Sequence, residues 1–91
     1  MLNFDWDKAK AESNLRKHGV SFEEAASVFG DPMALTFENP DHSSGEQRWI
    51  TFGISQAGRL LVVAHTERGR VNRIISARKA KRRERGVYEE G

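Results

Sequence analysis

"RWITFGISQAGRLLVVAHTERGRVNRIISA", residues 48–77, decides the fold. Three runs rich in β-branched and aromatic residues are divided by "QAG" and "RGR". Those links are too short for a crossover, so the three runs are strands of one antiparallel meander. In "RLLVVAHTE", Leu60, Val62 and Ala64 alternate with Leu61 and Val63. Both faces of that strand are therefore apolar, which makes it a central strand covered on both sides.

Upstream the period changes. "LNFDW" is short and aromatic, consistent with an edge strand, and Asp7 is placed to cap a helix over Lys8–His18. The apolar stripe of that helix is thin, Ala11, Leu15 and His18 at i, i+4 and i+7, and Gly19 suits the left-handed position that ends it. In "VSFEEAASVFGDP", Ser21 and Glu24 form an S-x-x-E capping box, each satisfying a backbone N–H of the first turn. Phe22, Ala25, Ala26 and Phe29 share a stripe, and Gly30 with Pro32 stops the helix, so two helices form a compact hairpin. "MALTF" reads as a strand and "ENPDHSSGE" as a polar loop. From Arg78 to Glu90 the residues are strong helix formers apart from Gly86, which predicts a terminal helix interrupted or frayed there. The expected order is β-α-α-β-β-β-β-α. This is an α+β fold with a mainly antiparallel sheet, an N-terminal helix hairpin and a C-terminal basic helix, in one domain over residues 1–91.

Composition bounds the function. The chain has 91 residues, 37% hydrophobic and 31% charged, near the small end of what one core stabilises unaided. With no cysteine, there is no disulfide framework, thiolate metal site or cysteine nucleophile. "MLNFDWDKAK" has no apolar h-region and no run is long enough to span a membrane, so a soluble, cytoplasmic protein is expected. The formal net charge is +2, but the average hides a split. Residues 1–67 carry six Lys/Arg against ten Asp/Glu, whereas residues 68–85 carry nine against one. Basic charge this concentrated repels itself unless a partner neutralises it, and an anionic polymer is the commonest such partner. The bland alternative is a solvated helix face.

Three blocks carry a resemblance. "FDWDKAKAESNLRKHGVSFEEAASVFGDP", "DHSSGEQRWITFGIS" and "RIISARKAKRRERGVYE" resemble, in order and spacing, the BrnT family, and the likeness spans nearly the whole chain. The resemblance implies a RelE-like fold and a ribonuclease that slows translation, the toxin half of a bacterial type II toxin–antitoxin pair. It also implies a BrnA-like antitoxin with a ribbon-helix-helix DNA-binding part, through which alone the protein would meet operator DNA. The residues themselves show a basic α+β domain, and a non-catalytic module that binds nucleic acid or antitoxin is the competing reading.

RNA cleavage can use the substrate's own 2′-hydroxyl, so neither a protein nucleophile nor a metal or other cofactor is required. The protein must orient that hydroxyl, move protons and stabilise charge on the phosphoryl oxygens. Arginine suits the last task, because its planar fork matches phosphate and keeps its charge. The candidate catalytic residues are Arg48, Arg78, Glu84, His18 and Tyr88, and the candidate RNA-binding residues are Arg68, Arg73, Arg82 and Arg83. Each has a plainer alternative. Arg78, placed where the last strand hands over to the helix, and Arg48, beside Glu46, can be ion-paired. Glu84 can partner Lys81, Tyr88 can anchor its helix, and His18 lies on an apolar stripe. His65 is an acid–base candidate if a cleft opens at the end of its strand. Asp41, His42 and Glu46 match no ligand spacing, and no metal site is expected.

Overall fold

The computed structural model describes residues 3–39 and 47–91. Along the chain run β1 (Asn3–Trp6), α1 (Lys8–His18), α2 (Phe22–Ser27) continuing into a 3-10 turn at Val28–Gly30, β2 (Leu35–Glu38), β3 (Arg48–Ile54), β4 (Leu60–Arg68), β5 (Val71–Lys79) and α3 (Arg82–Glu90). The strands form one sheet in the order β1-β5-β4-β3-β2. Neighbours are antiparallel except β1, which lies parallel to β5 along its edge. The expected order and meander are therefore observed, with β4 in the centre. The greater part of the loop "ENPDHSSGE" lies outside the described residues.

The helix ends follow the local chemistry. The Asp7 carboxylate accepts from Lys10 N at 3.0 Å, and Gly19, at φ 71°, donates to Leu15 O at 2.9 Å. Ser21 accepts from Glu24 N at 3.0 Å, which is one half of the expected capping box. The other half is absent, because Glu24 spends its carboxylate elsewhere. It is buried, accepts from Ser55 Oγ at 2.6 Å and pairs with both ends of the Arg59 fork. Arg59 also donates to Gly19 O at 3.1 Å, so this ion pair ties the β3–β4 turn to the helix hairpin.

The apolar face of the hairpin seals one side of the sheet. Val20, Phe22, Ala25 and Val28 pack on Leu61, Val63, Ile74 and Ala77, with Phe4, Trp6 and Phe29 at the margin. Burying Phe22 alone contributes about 1.5–3 kcal/mol. Gly53 lets the 3-10 turn settle on β3, since a Cβ there would fall 2.6 Å from the Val28 side chain.

The face of α1 differs from the expected stripe. Leu15 is 51% exposed, and Asn14 takes the buried position instead. Its carboxamide donates to Ala77 O at 2.8 Å and Val20 O at 3.0 Å, and accepts from Ala77 N at 3.1 Å. β1 pairs with β5 at Val71–Ile74, and a bulge follows, since Ala64 faces Ser76 but His65 faces Ile74. Beyond the bulge, Asn14 satisfies the backbone groups that β1 no longer reaches. A side chain that does the work of a strand outweighs the apolar pattern.

The C-terminal boundary also shifts. β5 runs to Lys79 rather than ending at Ala77, because Val62 and Leu61 continue to pair with Arg78 and Lys79. α3 begins at Arg82 and passes through Gly86 without a break. Helix propensity loses to the sheet ladder at one end, and a single Gly is tolerated in the other.

Candidate nucleic-acid interface

Residues paired across strands share a face, so the register gives the second side of the sheet as three rows. Leu35, Phe52, Val62 and Arg78 form one row; Phe37, Ile50, Ala64 and Ser76 the next; Arg48, Thr66, Arg73 and Asp5 the third. α3 lies across the first row. Its start is held at β5 by Arg78, and Gly91 lies against Leu35 of β2. Leu60 and Val62 are accordingly buried, whereas Phe37 is 46% exposed and Ser76 is exposed.

Arg78, the penultimate residue of β5, therefore points onto this face close to where the strand hands over to α3. Its guanidinium donates to both Glu84 oxygens, at 2.7 and 2.8 Å. Glu84 also accepts from Lys81 N at 2.8 Å, closing the first turn of α3. The hydrogen bonds from Arg78 hold the Glu84 carboxyl down at about 2, with the Lys81 backbone and charge adding to the effect. A carboxylate this acidic is a weak base but a firm clamp on its arginine.

Tyr88, one turn on, donates to Asp31 Oδ2 at 2.6 Å. Asp31 accepts also from Ile54 N at 2.8 Å and Met33 N at 2.9 Å, and these bonds keep its carboxyl below the usual range. The phenol of Tyr88 is raised by the same carboxylate. Tyr88 thus anchors the far end of α3 as Arg78 and Glu84 anchor the near end.

At the opposite pole of β5, Arg73 lies 3.2 Å from Asp5, and Arg48 is exposed across Thr66 from it. Glu46, the suggested partner of Arg48, lies outside the described residues, as do Asp41 and His42. The Thr66 hydroxyl, buried between the two arginines, has no hydrogen-bond partner among the described residues. Arg68 ends β4 on the same pole. Arg82 and Arg83 are exposed and, with Lys81 and Glu84, line an open depression at the start of α3. The run of basic residues is thus divided between the two ends of one sheet face, roughly 17 Å apart along β5 from Arg73 to Arg78.

His65 lies on the other side of the sheet and His18 at its margin, on α1. His18 is half-buried in a shallow depression between α1 and β5, lined also by Lys10, Ser13, Lys17, Ile75 and Ser76; neither Arg78 nor Arg48 lines it. β4 runs on to Arg68, so His65 does not end its strand; it is 1% exposed beneath the Phe29 ring, not in an open cleft. Burial pushes its imidazole down to about 4, a nearby Asn72 side chain opposing only in part. Its Nε2 shares a 2.7 Å hydrogen bond with Thr51, whose hydroxyl lies 2.7 Å from Thr36, while Nδ1 has no hydrogen-bond partner among the described residues.

Of the candidates, the structure brings Arg78, Glu84 and Tyr88 together under or along α3, with Arg73 and Arg48 on the same face and His18 apart. Asp31, which ties α3 to β3, escaped the sequence reading; "GDP" signals a helix stop but not what its carboxylate binds. Phe37 escaped it as well, because one aromatic in a short strand looks like core.

The comparisons with known proteins agree with this architecture. The chain is similar to the crystal structure, at 1.1 Å resolution, of the Brucella abortus ribonuclease toxin BrnT, with a TM-score of 0.68 over 90% of this chain and 100% of that one. At 21% identity this likeness concerns the fold. No curated protein matches the sequence. The sequence pattern of one family, "Ribonuclease toxin, BrnT, of type II toxin-antitoxin system", matches residues 6–84, from the last residue of β1 through both N-terminal helices and the meander to the Arg78–Glu84 pair. The chain belongs to the BrnT family.

Proposed function

We propose that this protein is a cytoplasmic, metal-independent endoribonuclease toxin that cleaves RNA through the substrate's own 2′-hydroxyl and thereby inhibits translation. The observation that carries the reading is the doubly hydrogen-bonded Arg78, held at the start of α3 beside an open sheet face whose other end carries Arg48 and Arg73. In the reaction O2′ bonds to phosphorus as the P–O5′ bond breaks, leaving a 2′,3′-cyclic phosphate and a 5′-hydroxyl. The negative charge on the non-bridging oxygens is stabilised by a preorganised guanidinium, which needs no reorganisation when the charge develops. Glu84 positions that guanidinium; it does not itself take the proton. Arg48, Arg73, Arg68, Arg82 and Arg83 neutralise the flanking phosphates, with Arg73 and Arg78 sharing their charge between RNA and their carboxylates. A BrnA-like antitoxin with a ribbon-helix-helix part covers the same face, and operator DNA is reached through that partner.

Purified protein incubated with labelled RNA in EDTA should produce discrete cuts. Arg78→Ala should stay folded, losing about 1 kcal/mol or less for a partly exposed pair. It should retain RNA binding and cleave on the order of a hundred- to a thousandfold more slowly. Binding without cleavage by the wild type would make the protein a non-catalytic binding module. Wild-type cleavage by folded Arg78→Ala would remove Arg78 from the site.

A further inference from the structure

The middle row of the open face makes none of the proposed phosphate contacts. Phe37, Ile50, Ala64 and Ser76 cross four strands between the Arg78 row and the Arg48–Arg73 row. Ile50 and Ala64 are half-buried, so the strip is apolar, shallow and open. At its β2 end Phe37 stands 46% exposed. Its ring and that of Phe52 meet in a T-shaped pair, centroids 5.8 Å apart and planes at 84°, so Phe52 braces the ring while nearly half of the residue stays exposed. A large aromatic left this exposed on a sheet forgoes burial that a shorter polar residue would not miss. Its surroundings indicate what covers it. Cationic side chains flank the row on both sides, which favours a polyanion whose backbone runs along β5, and single-stranded nucleic acid presents unstacked bases beside such a backbone.

We propose that Phe37, braced by Phe52, is a stacking platform for one nucleobase of the bound RNA, with the Ile50–Ala64 floor beneath the neighbouring sugar and base. This rests on the ribonuclease reading and adds to it a base-binding subsite, set apart from the phosphate contacts. Stacking accepts any base in principle, so the platform seats the strand and favours the larger purine faces.

The test is binding of the full-length Arg78→Ala protein, which should cut on the order of a hundred- to a thousandfold more slowly, to fluorescein-labelled oligoribonucleotides. Adding Phe37→Ala or Phe37→Leu should weaken binding by roughly 5- to 150-fold, the loss typical of one stacked base. Leu keeps the apolar packing of β2 but has no π-face, so it separates stacking from strand stability. Phe37→Trp should bind at least as well as the parent. The salt dependence of binding should not change, because no phosphate contact is lost. Scanning a single abasic site along the oligonucleotide should reveal a position at which the Phe37 substitutions no longer matter. Unchanged affinity in Phe37→Leu, or an equal loss on every abasic oligonucleotide, would overturn the platform while leaving the ribonuclease reading intact. So would unchanged RNA affinity with loss of antitoxin binding, which would make the strip a protein-docking surface. A parent protein that binds no RNA would overturn both.

Discussion

Asn14→Ala tests the account of α1 most directly. The side chain makes three buried hydrogen bonds, two to Ala77 and one to Val20. Truncation leaves the Ala77 N–H, its carbonyl and the Val20 carbonyl short of partners in a region that excludes water. At about 1 kcal/mol for each lost bond, the substitution should cost about 3 kcal/mol. For a domain of this size that lowers Tm by about 12–24 °C. Leu15→Ala is the control: Leu15 is 51% exposed, so its loss should stay within about 0.5 kcal/mol. Urea unfolding of the two variants beside the wild type decides the matter. If Leu15→Ala cost more than Asn14→Ala, the helix would be turned as the apolar stripe suggests, and the pairing of Asn14 with β5 would be wrong. Asn14→Asp adds a second arm. It keeps the acceptor for Ala77 N but loses both donors and places a carboxylate beside two carbonyls, so it should be no milder than Ala.

Other outcomes follow from the charges. Changing Arg82 and Arg83 together to Glu should leave the fold intact and flatten the salt dependence of RNA binding by a slope of about 1.4, two single-strand phosphate contacts; an unchanged slope would return that turn of α3 to a solvated surface. His65 is held at about 4, below its ordinary 6.5, so the unfolded chain takes up the proton first as pH falls. Its contribution is intact above pH 6.5 and is lost as pH drops toward 4, about 2 kcal/mol by pH 5, and His65→Gln should flatten the urea stability profile between pH 7 and 5. Glu84→Gln should lower kcat with little change in KM, as expected for a residue that orients Arg78. Because the carboxyl sits at about 2, the wild-type pH–rate profile should show no ionisation of Glu84 between pH 4 and 8.

Much of the architecture was legible because local and tertiary preferences coincide. The caps at Asp7 and Ser21, the left-handed Gly19 and the two short strand links each have one economical conformation, and all are observed. The errors came where a long-range partner outbid a local rule. Asn14 looks like a surface residue until β5 supplies unpaired backbone groups. Glu24 looks like a capping residue until Arg59, 35 positions away, claims its carboxylate. Arg78 and Lys79 look like the start of a helix until Val62 and Leu61 offer them a ladder. In each case the deciding partner is remote in sequence, so no local window contains it.

The candidate site was legible in the same partial way. Its chemistry could be read, since arginines clustered in one region point to phosphate wherever they lie in space. Its geometry could not, because that depends on side chains from four strands and a helix. The basic run looks like one continuous helix face, yet the strand–helix boundary divides it. Arg73 and Arg78 lie on the sheet, and Lys81 to Arg85 stand on a helix clamped to that sheet at both ends. This division matters for mechanism. A flexible, wholly helical run would bind anions without orienting any one of them. A guanidinium fixed in a strand, braced by a carboxylate that stays ionised, presents its donors in one direction. Binding and orientation therefore fall to different residues. The exposed arginines of α3 should set affinity and its salt dependence, whereas Arg78 should set rate. If Arg78 and Arg82 substitutions proved interchangeable in both measures, that separation would fail, and the face would be an electrostatic surface with no preferred phosphate.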